Sequence, residues 1–176
     1  MDREQMVLDM SVIVILGLDP SPLRLGWGTV DLDTGTPIAC GTQTLGKWDD
    51  GWLDASSVRG ALRDIGTTFV EPSVVYIEAG YIGPNPTIAI RIAEAMGQTV
   101  QAVNRRWPDA IIQRVSPQNW RIANGLKGNA PKAECFARAI ELGFQALDQD
   151  AADGALIATA GWHSNQEILD AQGAVA

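Results

Sequence analysis

The sequence predicts one α/β domain in which five strands form a central sheet with helices packed around it. Three observations lead there. Apolar, β-branched runs alternate with segments of helical periodicity in the order βββαβαβ, followed by further helices. The length of 176 residues suits a single core, which at this size buries about 70% of the unfolded chain's surface. A composition of 46% hydrophobic and 19% charged residues excludes a disordered chain, and the lack of internal repeats or low-complexity tracts excludes a solenoid.

Met1 to Met10 shows no clear period and several charges, and is expected to form a loose extension ahead of a domain over residues 11–176. Ser11 to Leu18 is an apolar run that reads as a buried strand, stopped at Asp19-Pro20-Ser21-Pro22. Gly26 to Leu32 and Ile38 to Leu45 follow as the next strands, joined through Asp33-Thr34-Gly35, a hairpin signal. After a stretch rich in Gly, Trp and Asp, Gly46 to Asp54, a helix is predicted over Ala55 to Phe69 with Val58, Leu62, Ile65 and Phe69 on one face. Val74 to Ile77 is a short buried strand ending at Glu78, and Gly80 to Pro86 is a loop. Thr87 to Arg106 carries Ile88, Ile92, Ala95, Met96, Thr99 and Val103 at helical spacing. Its small residues Ala89, Ala93 and Gly97 form a second stripe, able to approach either the sheet or a partner helix. Ala110 to Val115 is the fifth strand, and Ser116-Pro117 sets a capping hydroxyl before a first-turn proline, the start of a short helix. A loop from Gly125 to Pro131 holds Lys127; helices over Lys132 to Leu142 and from Asp150 to about His163 follow.

Several function classes fall away. The longest apolar run, Val12 to Leu18, is far short of the roughly 20 residues a membrane span requires. Asp2, Glu4 and Asp9 precede it where a secretory signal carries positive charge, so a cytoplasmic protein with no membrane role is expected. Cys40 and Cys135 lie far apart without ligand-like neighbours, which favours reduced thiols over a zinc site. The single histidine, His163, disfavours an imidazole base or a multi-histidine metal site; it is expected near a helix end with no catalytic role. Any catalysis therefore falls to carboxylates.

The net charge of −8 and an isoelectric point near 4.5 argue, taken whole, against a nucleic-acid partner. The distribution argues the other way. Between Gln101 and Ile140, the cations Arg105, Arg106, Arg114, Arg121, Lys127, Lys132 and Arg138 meet only Asp109 and Glu134. Ten of the thirteen cations are arginines, whose planar fork suits phosphate oxygens. On charge alone, a solvated basic face on an acidic protein is the preferred explanation of this segment.

Asp19 follows a strand so apolar that its carboxylate must emerge at the sheet's end, and Glu78 stands in the same relation to the Val74 to Ile77 strand. Ligands of α/β sheets bind at such strand ends. Asp150 and Asp153 are spaced three apart at the start of an apolar helix, which puts both on one face. If that helix packs on the sheet, the four acids converge, and their repulsion of about 4 kcal/mol per pair at 4 Å and a dielectric of 20 calls for protons or a cation. Oxygen-only donors suit Mg²⁺ or Mn²⁺, and two such ions about 3.5–4 Å apart activate water and stabilise the leaving oxygen of a phosphodiester. Turn formation by Asp19 and helix capping by Asp150 or Asp153 remain the ordinary alternatives.

Ile15-Leu16-Gly17-Leu18-Asp19-Pro20 followed by Gly26-Trp27-Gly28 resembles the opening of the RuvC Holliday junction resolvases, members of the ribonuclease H-like superfamily. The resemblance continues in order through Ile77-Glu78, Ala95-Met96-Gly97, Val115-Ser116-Pro117, Gly125 and Gly128, and Asp150-Ala151-Ala152-Asp153-Gly154-Ala155. It implies a ribonuclease H-like fold, a central mixed five-stranded sheet flanked by helices, and an endonuclease that resolves four-way junctions and other branched DNA. It further implies that Asp19, Glu78, Asp150 and Asp153 are the catalytic acids holding two Mg²⁺ or Mn²⁺ ions. Tyr81 would stack on opened bases, and Arg121, Lys127 and Lys132 would contact DNA. A homodimer would cut two strands of like polarity, leaving 5′-phosphate and 3′-hydroxyl ends.

Ser21 and Leu25 stand where the family has Gly and Thr, Pro22 is added, and Ala79-Gly80 follows Glu78. With the low isoelectric point and the N-terminal extension, these departures point to a phage-encoded relative of broader substrate range. Two alternatives stay open: another ribonuclease H-like nuclease acting on RNA/DNA hybrids, and a non-catalytic junction-binding protein. A sugar kinase or actin-type ATPase, which opens on a similar strand and hairpin, needs a second such domain that this length does not provide.

Overall fold

The computed structural model describes residues 13–80 and 85–173, the last with side chains to 166. Its strands are β1 (Val14–Pro20), β2 (Arg24–Asp31), β3 (Pro37–Thr44), β4 (Pro72–Glu78) and β5 (Ile111–Val115). Its helices are α1 (Ala55–Ile65), α2 (Pro86–Arg106), α3 (Pro117–Ala123), α4 (Lys132–Glu141) and α5 (Gln149–Gly173). The strands make one mixed sheet in the order β3-β2-β1-β4-β5. β1 pairs antiparallel with β2 and parallel with β4, which is why it is apolar on both faces: it lies in the middle with helices above and below.

Alternation along the strands divides the core. Ile15, Val30, Val74 and Tyr76 pack with Trp120 of α3, Cys135 of α4 and the alanines of α5. Leu16, Leu18, Leu25, Val75 and Ile77 pack with Val58 and Leu62 of α1 and with Ala95 and Val103 of α2. α5 lies directly on β1 and β2 because glycines on both sides clear the space between them. A methyl group on Gly17 or Gly28 would land in the backbone of α5 at Ala158 or Ala155, and one on Gly154 in the backbone of Trp27. Ser116 caps α3 as its sequence predicts, accepting from the Asn119 amide at 3.2 Å. Cys40 and Cys135 are both free thiols.

Several boundaries differ from the expectations. β1 runs through Asp19 to Pro20, with Asp19 opposite Gly26 and Pro20 opposite Leu25. The break comes later because Ser21 closes the turn: its amide donates to Arg24 O at 2.9 Å and its hydroxyl oxygen accepts from the Arg24 amide at 3.0 Å. β4 likewise includes Glu78, which pairs with Val115. α1 stops at Ile65 because the Gly66 amide closes the last turn on Leu62 O at 3.0 Å. Phe69 lies beyond the helix, packed between Trp27 and Trp107 with ring centroids 6.2 and 6.3 Å away. α5 continues to Gly173 instead of ending near His163, since Ser164 and Asn165 turn their side chains back onto the helix carbonyls of Ala160 and Gly161. His163 is therefore a mid-helix residue, edge-on to Trp162.

The small-residue stripe of α2 does not pack on the sheet: Ala93 and Gly97 are exposed, and the buried face is Ala95, Thr99, Ala102 and Val103. Ile88, expected on the core face, is 54% exposed. The N-terminal extension of residues 1–10 lies outside the described residues. Among the described residues, no helix is long and apolar enough to cross a membrane.

Candidate active site

In β1, Ile15 and Gly17 face α5, and the next residue of that face is Asp19. In β4, Val74 and Tyr76 share this face, and the next is Glu78. The parallel register pairs Leu18 with Ile77, so Asp19 and Glu78 follow side by side at the ends of neighbouring strands. The first turns of α5 bring Asp150 and Asp153 over the same spot. All four acids line one cleft of about 310 Å³, together with Arg121, Lys132, the Pro20-Ser21-Pro22 turn and the α2 residues Ile88, Ile92 and Met96.

Burial raises the Asp19 carboxyl well above the ordinary carboxylate range, and the charges of Glu78, Asp153 and Asp150 push it further against the pull of Lys132. Burial also raises Glu78, with Asp153 adding to the rise and a hydrogen bond from Trp120 opposing it. Asp153, 6% exposed, is raised by burial while a bond from Gln149 and the charges of Lys132 and Arg121 pull it down. The three are crowded acids in a poorly hydrated place, where a proton or a cation relieves the repulsion.

Each acid except Asp19 has a donor that fixes one of its oxygens. The Trp120 indole N–H donates to Glu78 Oε2 at 2.6 Å, and the Gln149 amide to Asp153 Oδ1 at 2.8 Å. Arg24 Nε donates to Asp150 Oδ2 at 2.9 Å, while Nη2 of the same guanidinium pairs with Asp148. Asp148 Oδ1 also accepts from the Thr42 hydroxyl at 2.6 Å and from the Ala151 amide at 2.9 Å, tying the start of α5 to β2 and β3. Burial would raise Asp148, but these bonds and Arg24 outweigh it and hold its carboxyl below the ordinary range. The helix cap is thus Asp148, not Asp150, which leaves Asp150 for the cleft. Sequence reasoning missed Arg24, Trp120, Asp148 and Gln149. Asp148 alone left a local signal, an acid three residues before the amide it caps; the other contacts cross between elements distant in sequence.

The donor set fits a hard divalent cation: four carboxylates, with no imidazole or thiol among the residues lining the cleft. Among the described residues no three His, Cys, Asp or Glu side chains are grouped closely enough to hold an ion as they stand. Like charges stand apart unless something positive lies between them. Burial together with mutual repulsion is the condition that a bound cation relieves, so the residues suit the group.

The basic residues divide. Arg121 and Lys132 line the cleft, and Arg121 lies over the Trp120 ring at 4.7 Å with Nη1 donating to Gly128 O at 3.3 Å. Lys127 is exposed in the intervening loop and does not line the cleft. Tyr81 lies outside the described residues.

The sheet order, the central acid-bearing strand and the long helix across it define a ribonuclease H-like α/β fold. Three solved structures share it over most of the chain. RuvC of T. thermophilus in complex with Holliday junction substrate is 16% identical with a TM-score of 0.69, covering 88% of this chain and 96% of that one. A second Thermus thermophilus RuvC structure is 17% identical with a TM-score of 0.64, covering 88% and 97%. The yeast mitochondrial Holliday junction resolvase Ydc2 is 13% identical with a TM-score of 0.54, covering 89% and 81%. No protein-family model and no curated protein sequence matches this chain.

Proposed function

We propose that this protein is a metal-dependent endonuclease that cuts branched DNA, four-way junctions above all, as a homodimer in the cytoplasm. The observation that carries the reading is the single cleft in which Asp19, Glu78, Asp150 and Asp153 meet Arg121 and Lys132. Acids alone would repel a phosphodiester. Cations at the rim offset that repulsion and orient the phosphate, while the acids hold Mg²⁺ or Mn²⁺ beneath it.

When bound, two such ions supply an activated water and charge stabilisation for the departing oxygen. The chain supplies the frame. Glu78 and Asp19 are fixed by neighbouring strands, and Asp150 and Asp153 by the first turns of α5. Trp120, Arg24 and Gln149 each occupy one carboxylate oxygen and leave the other for the cleft. Arg121 and Lys132 hold the phosphate in register, Lys127 contacts the backbone farther out, and Tyr81 stacks on a base opened at the branch point. The products are 5′-phosphate and 3′-hydroxyl ends. Ala93, Gly97 and Ile90, exposed along α2, form the face on which a second copy packs so that two strands are cut in one complex.

The test is cleavage of an end-labelled four-way junction beside linear duplex, a replication fork and an RNA/DNA hybrid, with Mg²⁺ and with EDTA. Paired, metal-dependent nicks in opposite strands of the junction are expected. Cutting of the hybrid alone would transfer the site to RNA/DNA substrates, and junction binding without cutting under any metal would make the protein a binding module.

A further inference from the structure

We propose that Trp120 is the positioning residue for Glu78: a wholly buried indole whose only polar group is aimed at one carboxylate oxygen, so that the other is presented to the cleft in a fixed direction. The inference rests on the reading of that cleft as a metal-dependent nuclease site. Trp120 is 0% exposed, and its N–H meets Glu78 Oε2 at 2.6 Å. An apolar side chain of similar shape would fill the same space without this bond, so core packing alone does not call for tryptophan here.

The donor is rigid because its helix is held at several points. Ser116 caps the first turn of α3. Asn124, just past the last turn, donates from Nδ2 to Trp120 O at 2.7 Å and to Leu156 O at 2.8 Å, fastening α3 to α5, the helix that carries Asp150 and Asp153. Arg138 Nε of α4 donates to Asn124 O at 3.0 Å. Glu78 is thus referenced to the same body as the other acids through a contact that its own strand does not make.

The indole has a second neighbour. Arg121 covers its face at 4.7 Å and reaches Gly128 O in the basic loop. One aromatic ring therefore supports a cation at the rim of the cleft and an acid on its floor. The indole N–H is a neutral donor: it orients Glu78 without itself adding a positive charge beside the oxygen left for the ion.

The experiment is calorimetric titration of Mn²⁺ into the full chain, without DNA, for the unaltered protein and for a form with 3-benzothienylalanine at position 120. This residue keeps the ring shape and replaces the N–H with sulfur. The expected result is Mn²⁺ binding weakened about 10- to 100-fold, with a melting temperature lowered only by the loss of one buried hydrogen bond and unchanged junction affinity in EDTA, since Arg121 keeps its aromatic support. In cleavage assays kcat falls while KM for the junction holds. Trp120→Phe is the second variant; it removes the same donor but opens a cavity, so its melting temperature falls further. Equal Mn²⁺ affinity in the benzothienyl form, or a Trp120→Phe protein that loses stability but not Mn²⁺ affinity, overturns the proposal and leaves the nuclease reading standing. An unaltered protein that binds no Mn²⁺ overturns both.

Discussion

Helices α5 and α2 are both long, at 25 and 21 residues, and both carry small residues at helical spacing. α5 spends them on intimate contact: Gly154, Ala155 and Ala158 lie against the backbones of β1 and β2, and the acids of its first turns are fixed to the sheet as a result. α2 turns Ala93 and Gly97 outward, and a methyl added to Gly97 meets nothing within 4 Å. The difference lies in the neighbour. Strands β1 and β2 answer α5 with Gly17, Gly26 and Gly28, whereas the stripe on α2 has no such complement within its own chain among the described residues. Small-residue spacing says how close a helix is able to come to something; the opposing sequence says to what.

The sharpest way to break this comparison is Gly154→Ala, whose methyl would enter the backbone of Trp27. We expect a loss of about 3 kcal/mol or more in urea unfolding; a loss under about 1 kcal/mol would mean that the seam yields and does not fix the acids. Asp19→Asn comes next: cleavage is abolished while junction binding persists, read by gel shift beside a nicking assay. The same variant tests the electrostatics of the seam. Burial raises Asp19, Glu78 and Asp153 in the fold, so the folded chain holds protons more tightly than the unfolded one. Their contribution is complete below the ordinary carboxylate range and is lost as pH rises through the raised values. The metal-free protein should therefore melt higher at about pH 5 than at about pH 7.5, and Asp19→Asn should flatten that slope and raise the melting temperature at the higher pH. A profile that instead climbs with pH would contradict the crowding of the acids.

On the α2 side, Ala93→Arg should leave the melting temperature of the isolated chain unchanged yet convert a dimer to monomer in sedimentation. A variant that sediments like the parent places any dimer contact elsewhere. Arg121→Ala and Lys132→Ala should each flatten the salt dependence of junction binding by about one counterion, with Lys127→Ala doing so only if the exposed loop reaches the backbone. The smallest effect is Gly97→Ala, expected to add up to about 1 kcal/mol of stability through helix propensity; destabilisation would mean that this surface is covered.

Much of the architecture was legible because each signal was local. Apolar runs marked the strands, and Ser116-Pro117 marked the start of α3. The convergence of the four acids on one cleft was legible because an acid directly after an apolar run comes out at the sheet's end, and a three-residue helical spacing puts two acids on one face. What escaped shares a different physics. Asp19 and Glu78 lie inside their strands because Ser21 and the Val115 pairing, not the prolines, decide where those strands end. The outward turn of the α2 stripe, the Trp120 bond to Glu78 and the Arg24 link to Asp148 and Asp150 all depend on which elements meet in space. No single segment carries that information.

Asp148 touches β2 through Arg24 and β3 through Thr42 while capping a helix that begins more than a hundred residues later in the chain. The nascent chain exposes Asp19 first and Glu78 next, but neither has its counterparts until this helix emerges and docks, so contacts of high sequence separation form at the end. A ribosome-bound fragment that stops short of this helix, however well its hairpin has formed, lacks two of the four acids of the cleft. The cleft as a whole is therefore assembled only after Asp153 has been made and its helix has docked, an order of events written into the order of its residues.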